Sequence, residues 1–261
     1  MQPETIAAVI EKTRGRDPLV HCIVGPAVAQ LVADGLLAAG ARPLMTATLA
    51  EAPALVQGTD ALLVNLGMLS DEATRAVLPT VATAREMHLP WVLDPVAVGP
   101  APVRTTLALN LIRHRPTIVR GNASEVSVLA GGDGGATGPD SVLGSMEVES
   151  AAQLVAAQAG CTVAVSGQPD VITDGVRVVR VHNGVPLLTR VTGTGCLLGA
   201  LTAACSTVAD PFDAALTATV WLTVAAEHAA ATEHGPGSFR VALVDALHTL
   251  DATTIARQAK W

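Results

Sequence analysis

Short apolar runs alternate with longer stretches of helical periodicity along the chain, and this alternation restricts its possible folds more than any other feature. The runs predicted as strands are 19–24, 43–46, 61–65, 91–94, 117–119, 162–165, 171–173 and 176–181. Most lack a polar–apolar alternation, as is typical of parallel strands that are covered on both faces. The order strand, helix, strand predicts βαβ units. We therefore expect an α/β fold with one domain, residues 1–261, in which a mostly parallel central sheet is flanked by helices.

The segments between these strands carry helical patterns and end signals. Pro26 opens one helix and Gly40 ends it. The predicted helices are 26–39, 51–57, 70–87, 122–130, 147–159, 194–208, 211–233 and 239–258. The Gly-rich stretch 131–144 is predicted as a loop, and the 174–175 turn as the centre of a small antiparallel addition to the sheet.

Composition and charge argue against nucleic-acid binding. The formal net charge is −7 and no run of Lys or Arg occurs, whereas a duplex binder needs a basic face. Aromatic residues make up 2% of the chain and Tyr is absent from it, which disfavours a protein that stacks single-stranded bases. The acidic balance is that of an ordinary soluble protein and does not select a ligand.

The chain is apolar overall, with a mean hydropathy of +0.45, but it shows no membrane pattern. Its apolar stretches are interrupted, for example at 34–35 and 210–211, and fall short of the roughly 18 residues that a spanning helix needs. Residues 1–4 lack the start of a secretory signal. The four cysteines form neither a CxxC pair nor a zinc spacing, so we expect free thiols in the cytoplasm.

Polar residues gather at the ends of the predicted strands, where α/β sheets bind ligands. These residues are Asn65, Asp94, Arg120, Asn122 and Ser166. Each has an ordinary explanation as a helix cap or a turn residue. Their common position at one sheet edge instead indicates a binding site.

The segment 192–196, Thr-Gly-Thr-Gly-Cys, precedes a helical run. Gly193 and Gly195 allow backbone N–H groups to face an anion at the helix N-terminus, and phosphate is the natural guest. The same field is expected to lower the pKa of Cys196. The alternative is a glycine turn beside a buried cysteine, which is common in α/β folds.

Two acids lie near this segment in the predicted sheet. Asp94 and Glu125 have the chemistry to hold Mg²⁺, which takes a few carboxylates together with phosphate oxygens. Arg120 is placed to clamp a phosphate. Taken alone, Asp94 reads as a turn residue before Pro95 and Glu125 as an acid in the first turn of a helix.

Together these segments resemble the hydroxyethylthiazole kinase family of the ribokinase-like superfamily, from about residue 17 to about residue 250. The matching segments are 18–21, 35–38, 43–45, 94–96, 120–125, 166–167, 173–175, 191–196 and 235–239. The resemblance implies a ribokinase-like three-layer fold. It also implies ATP- and Mg²⁺-dependent phosphorylation of the alcohol of 4-methyl-5-(2-hydroxyethyl)thiazole in thiamine salvage, by a homotrimer with the thiazole pocket between subunits.

The resemblance also implies residue roles. Met45 and Gly193 would contact the thiazole, and Cys22 and Gly25 lie in the segment that shapes the same pocket. The remaining roles fall to ATP-binding Arg120, Ser166 and Asn122, metal-binding Asp94 and Glu125, and catalytic Cys196, Gly193 and Gly195. Cys196 replaces the Asp that serves as base in most ribokinase-like kinases, a replacement that the thiazole kinases share.

The chain departs from the family after its first strand. Where the family usually reads His-Asn-Ile-Thr-Asn, residues 21–25 read His-Cys-Ile-Val-Gly. Fewer hydrogen-bonding groups change what a pocket accepts, so restoring Asn at Cys22 and Gly25 is expected to favour the thiazole alcohol. The alternatives are a kinase for another small heterocyclic alcohol, a nucleotide-binding homologue with reduced turnover, a nucleotide-hydrate dehydratase and, weakest, a cysteine hydrolase.

Overall fold

A computed structural model describes residues 2–132, 145–233 and 235–261. Its eight strands form a single sheet in the order β2-β1-β3-β4-β5-β6-β7-β8. The strands are β1 (Leu19–Ile23), β2 (Arg42–Leu44), β3 (Ala61–Asn65), β4 (Trp91–Asp94), β5 (Ile118–Asn122), β6 (Thr162–Ser166), β7 (Asp170–Thr173) and β8 (Val178–Val181). Pairing is parallel from β2 across to β6 and antiparallel between β6, β7 and β8. The mostly parallel sheet and its antiparallel addition are as predicted.

Helices cover both faces of this sheet. They are α1 (Pro3–Arg16), α2 (Pro26–Ala39), α3 (Ala52–Leu55), α4 (Asp71–Glu86), α5 (Pro102–Leu111), α6 (Ala123–Leu129), α7 (Ser145–Ala159), α8 (Thr194–Cys205), α9 (Pro211–Thr232), α10 (Pro236–Thr249) and α11 (Ala252–Arg257). One core lies between the sheet and α1, α2 and α8–α11, and a second lies between its other face and α4–α7. The arrangement is the expected three-layer α/β fold.

Strand residues alternate between the two cores. Val20 of β1 belongs to the first core and Ile23 to the second. Leu63 and Leu62 of β3 divide in the same way. Burial of both faces explains why the strands read as continuous apolar runs rather than as alternating ones.

The structure differs from the prediction in its helices. Helices α1 and α5 are additional to the predicted set, and the single helix predicted over 239–258 is divided into α10 and α11. The break follows from Leu250, which has an extended backbone, and Asp251, whose side chain accepts the N–H of Thr254 and caps α11. The predicted loop 131–144 lies, apart from its first two residues, outside the described residues.

Among the described residues, no helix is long and apolar enough to span a membrane.

The topology fixes where a ligand can bind. The order of the strands reverses next to β1, because β2 lies on one side of it and β3 on the other. Ligands of open parallel sheets bind outside the carboxyl ends of the strands near such a reversal. The segments after β1, β3 and β4 and the N-terminus of α8 meet at this end of the sheet.

Candidate active site

Helix α8 begins at the carboxyl edge of the sheet, in the glycine segment that the sequence singled out. Its N-cap is Gly193, whose φ of 97° is in the left-handed region that favours glycine. No side chain of the described residues caps the helix through a hydrogen bond, so its N-terminal amide groups lack a capping carboxylate or hydroxyl. Thr194 anchors the turn by donating its hydroxyl to the Leu188 carbonyl at 2.9 Å.

Gly195 lets the guanidinium of Arg120 lie directly against the first turn of α8. A Cβ atom at Gly195 would come within 2.6 Å of both Arg120 Nη1 and Nη2. Real Cβ atoms do not approach other atoms so closely, so no larger residue fits while Arg120 keeps its place. Gly195 therefore serves close packing of a cation against the helix N-terminus.

Arg120 links two strand ends. Its Nη2 donates to Ser166 Oγ at 2.8 Å, and its Nη1 lies 3.5 Å from Asp94 Oδ2. Asn65 donates its Nδ2 to the same Asp94 oxygen at 2.7 Å and accepts the N–H of Gly67 at 2.9 Å. These contacts join the ends of β3, β4, β5 and β6. The structure thus brings together four of the five polar strand-end residues as one network.

The network is buried but incomplete. The side chain of Asp94 is fully buried and that of Arg120 is 12% exposed. Within the described part of the chain, Asp94 Oδ1 and Arg120 Nε have no hydrogen-bond partner. Burial raises the pKa of Asp94, and the charge of Arg120 opposes that rise. Unpaired polar atoms in a buried site are costly, so their presence at this edge marks it as a place where further groups bind.

The pKa expected for Cys196 is wrong. Burial, together with the negative charge of Asp94, raises the pKa of the Cys196 thiol to about 12, although Arg120 acts in the opposite direction. Desolvation of the thiolate therefore outweighs the field of the helix terminus. At neutral pH Cys196 is a protonated thiol beside Asn65, able to donate a hydrogen bond but not to accept a proton.

Asn122 and Glu125 are largely engaged by the backbone. They form a capping box at the start of α6, in which Asn122 Oδ1 accepts the Glu125 N–H and Glu125 Oε2 accepts the Asn122 N–H. Glu125 Oε1 accepts the N–H of Ala97 at 2.9 Å. This pair fixes the loop after β4 and the start of α6 relative to each other.

The two acids therefore suit a magnesium ion differently. Asp94 offers an oxygen without a partner, whereas both Glu125 oxygens already accept backbone N–H groups. No cluster of three or more metal-ligating side chains occurs in the described part of the chain. This donor set fits an ion held by one carboxylate, water and ligand phosphate oxygens, which is the usual environment of Mg²⁺.

The segments after β1 and β3 touch at the reversal point of the sheet. A Cβ at Gly25 would lie 2.2 Å from the Gly67 carbonyl oxygen and 3.0 Å from Met68 Cβ. The structure argues against the expectation that Asn at position 25 improves the pocket, because a backbone carbonyl would have to move first. Cys22 does not join the site, since it is 1% exposed and lies in the first core. Met45 is 38% exposed and follows the edge strand β2.

Two residues of this region were given no role by the sequence. Asn65 was noted only as a polar strand end, yet it orients Asp94. Asp170, at the start of β7, accepts the Gly167 N–H at 2.7 Å and lies in none of the motifs that the sequence presents. Its position four residues after Ser166, across a turn that contains Pro169, was the available signal.

Comparisons with known proteins agree with the resemblance drawn from the motifs. Residues 10–253 match the family model for the hydroxyethylthiazole kinase family. A hydroxyethylthiazole kinase of Clavibacter sepedonicus is 46% identical over 260 residues, which cover 98% of this chain and 94% of that protein.

Solved structures give the same result for the fold. The hydroxyethylthiazole kinase protein from Pyrococcus horikoshii OT3 superposes with a TM-score of 0.91 at 35% identity, covering 98% of each chain. A ribokinase-like superfamily protein from Enterococcus faecalis V583 has a TM-score of 0.66 at 13% identity, covering 92% of this chain and 93% of that one, and supports the fold alone. Since the family model spans most of the sequence and the relatives cover nearly all of it, the chain belongs to the hydroxyethylthiazole kinase family.

Proposed function

We propose that this chain phosphorylates the primary alcohol of 4-methyl-5-(2-hydroxyethyl)thiazole with ATP, as a step of thiamine salvage. The observation that carries the proposal is the convergence of the uncapped α8 N-terminus, the buried Arg120 and the unpartnered Asp94 oxygen at one sheet edge. Anion-binding amides beside a cation and a carboxylate are the parts that phosphoryl transfer needs. The relatives' names supply the acceptor.

In this mechanism the glycine turn binds the transferring phosphoryl group. The amides at Gly193–Gly195 donate to its oxygens, and the helix dipole stabilises the charge that develops on them. Arg120, held by Ser166, neutralises the phosphate chain on the nucleotide side. Because the transition state is loose, positioning and charge neutralisation account for most of the rate.

Cys196 orients the alcohol rather than deprotonating it. Its thiol stays protonated at neutral pH, and in a loose transition state the alcohol needs little activation before it attacks. Asn65 fixes the neighbouring Asp94, so that the acceptor side of the site is held by hydrogen bonds from β3. The hydroxyl proton passes to a phosphate oxygen or to water after transfer, when the product oxygen has become acidic.

Asp94 is the residue that would hold magnesium, directly or through water, with Glu125 supporting the adjacent loop rather than the ion. When bound, the ion would neutralise phosphate oxygens. Asn122 serves ATP indirectly in this proposal, through the α6 start that it caps.

We place the acceptor pocket at the edge of the sheet and the active unit in a homotrimer. Three large apolar side chains that are close in sequence, Met45, Leu49 and Leu55, are exposed between the end of β2 and the end of α3. Exposed apolar side chains that lie together are typical of an interaction surface. The pocket would thus include Met45 near a subunit boundary. We further propose that residues 1–261 act as one domain in the cytoplasm, where the four free cysteines stay reduced.

Measuring ADP formation against a panel of thiazole, pyrimidine and sugar alcohols, with Mg²⁺ present, tests the proposal. We expect the thiazole alcohol to have the highest kcat/KM. A pyrimidine alcohol with a higher value would show a related kinase instead. ATP binding without turnover of any alcohol would show a nucleotide-binding homologue.

A further inference from the structure

Asp170 lies beside the proposed nucleotide site but in none of its motifs. It begins β7 after the turn 166–169 that follows β6. The residue is 9% exposed, and its Oδ1 accepts the N–H of Gly167 at 2.7 Å. The turn that presents Ser166 is therefore closed by a buried carboxylate.

The same turn is held from its other end by Arg120, which donates to Ser166 Oγ at 2.8 Å. The two holding groups differ in what a nucleotide would do to them. Phosphate oxygens compete for the guanidinium of Arg120, because Arg–phosphate contacts are strong and often bidentate. The Asp170 contact is to a backbone N–H and does not compete with phosphate.

The charges around Arg120 support this division. Its one ion pair within the described residues is with Asp94, and that contact is long at 3.5 Å. Among the described residues, Asp170 forms neither a hydrogen bond nor an ion pair with Arg120, but its negative charge is close enough to raise the pKa of the guanidinium. Burial raises the pKa of Asp170 to about 6, and the Gly167 hydrogen bond and the charge of Arg120 oppose this rise. Burying a carboxylate costs desolvation free energy, so its presence at position 170 indicates that the turn needs a hydrogen-bond acceptor there.

We propose that Asp170 is a positioning residue for the nucleotide, whose hydrogen bond to Gly167 keeps the Ser166 turn in place when Arg120 turns towards phosphate. This inference rests on the proposed use of ATP. It assigns to Asp170 no contact with the reacting atoms.

The experiment compares Asp170→Ala with Asp170→Asn. Alanine removes the acceptor, so we expect the KM for ATP to rise at least tenfold while the KM for the alcohol changes less than twofold. Asparagine keeps an oxygen that can accept the Gly167 N–H, so we expect its KM for ATP within about threefold of wild type. A loss as large in Asp170→Asn as in Asp170→Ala would overturn the hydrogen-bond role.

Asp174→Ala is the matched control. Asp174 lies in the next turn of the same chain segment and also accepts backbone N–H groups, from Val176 and Arg177, but it is away from Arg120. We expect wild-type KM values for both substrates. If Asp170→Ala and Asp174→Ala raise the KM for ATP equally, the effect comes from disturbing the β7–β8 hairpin in general. That result would overturn the proposal.

Calorimetric titration with a non-hydrolysable ATP analogue separates this inference from the proposed function. If wild type binds no analogue, the proposed function fails. If wild type binds it and folded Asp170→Ala binds it equally well, only the inference about Asp170 fails. Should Asp170→Ala not fold, Asp170→Glu replaces it, because one added methylene displaces the carboxylate from Gly167. A wild-type KM for ATP in that variant would likewise overturn the proposal.

Discussion

Three glycines at the carboxyl edge of the sheet are required for three different physical reasons. Gly193 needs a positive φ, Gly195 leaves room for the guanidinium of Arg120, and Gly25 leaves room for a backbone carbonyl. The first reason can be anticipated from a Gly-x-Gly segment before a helix. The other two depend on side chains and loops distant in sequence, so a single sequence does not reveal them.

Replacing Gly195 by Ala tests the packing of Arg120. The new Cβ would lie 2.6 Å from both terminal nitrogens, and Arg120 is held by Ser166 and Asp94, so it has to leave its place. We expect kcat/KM to fall about a hundredfold, the usual scale for a lost charge-stabilising donor. Steady-state kinetics on the purified variant measure this.

Gly15→Ala is the control, because nothing lies within 4 Å of a Cβ at Gly15 in α1. It should keep wild-type kinetics and unfold at a slightly higher denaturant concentration, since alanine favours a helix by roughly 1 kcal/mol. Wild-type kcat/KM in Gly195→Ala would show that Arg120 can serve from a different position.

The protonated state of Cys196 predicts slow alkylation. A pKa of about 12 in place of the ordinary 9.0 lowers the thiolate fraction at pH 8 by about a thousandfold. Iodoacetamide labelling followed by peptide mass spectrometry should therefore modify Cys196 far more slowly in the folded protein than after unfolding. Labelling at the rate of a free thiol would restore the cysteine as a candidate base.

At the scale of elements, the approach of α2 to α8 determines where the anion site lies. A Cβ at Gly35 of α2 would fall 2.4 Å from Leu197 Cδ1, and Leu197 is fully buried in the first turns of α8. Gly35 thus allows α8, the helix that begins at the glycine turn, to pack closely against α2. The sequence predicted both helices but not this contact, because helical periodicity does not identify a helix's partner.

Gly35→Ala should destabilise the protein by about 1–3 kcal/mol, as expected for overpacking, despite the gain in helix propensity. Leu197→Ala alone should cost about 2–5 kcal/mol through the cavity it leaves. In the double variant the new methyl group at position 35 enters the space that Leu197 vacates. The double variant should therefore lose less unfolding free energy than the sum of the losses in the two single variants. Urea unfolding of the four proteins gives this coupling free energy; strict additivity would contradict the close contact.

Residues that start, cap or end a helix predict the helices of this chain more reliably than hydrophobic periodicity within them does. The helices α2, α4 and α6 begin and end near their predicted residues, because Pro26, Gly40, Ser70 and Asn122 act as the expected starts, caps or ends. Helix α1 was missed although Ile6, Val9, Ile10 and Thr13 are buried at helical spacing. Its charged exposed face lowers the mean hydropathy of the segment, so that its apolar residues do not form a run.

At the scale of the whole molecule, the fold follows from the strand–helix order, whereas the electrostatic balance of the site does not. Burial of Asp94, Asp170 and Cys196 outweighs the nearby positive charge, so that all three pKa values are raised. Desolvation depends on how completely the layers close over the sheet edge, and no local motif reports that. This is why polar strand ends predict a network at this sheet edge, whereas the glycine turn predicts the wrong direction for the pKa shift of Cys196.

The raised pKa of Asp170 predicts how global stability varies with pH. Its pKa rises from 3.8 in the unfolded chain to about 6 in the folded one, so between these values the folded protein holds a proton that the unfolded chain releases. The associated stability is complete below pH 4 and is lost as the pH rises through 6. Asn does not titrate, so the stability of wild type relative to Asp170→Asn should fall by about 2.5 kcal/mol between pH 4 and pH 7.

Asp174→Asn is the control of opposite sign for that titration. Hydrogen bonds to Arg177 and the backbone lower the pKa of Asp174 despite some burial, so its stabilising effect is present at neutral pH and is lost as the pH falls through the lowered value. Its size should be small because the group is partly exposed to solvent. Urea unfolding of both variants and wild type at pH 4, 5, 6 and 7 measures the fall for Asp170→Asn, whereas the difference for Asp174→Asn should stay nearly constant there, because that group titrates below this range. If the difference for Asp170→Asn stays constant across this range, the carboxylate is already ionised at pH 4 in the folded protein, and burial does not dominate its environment.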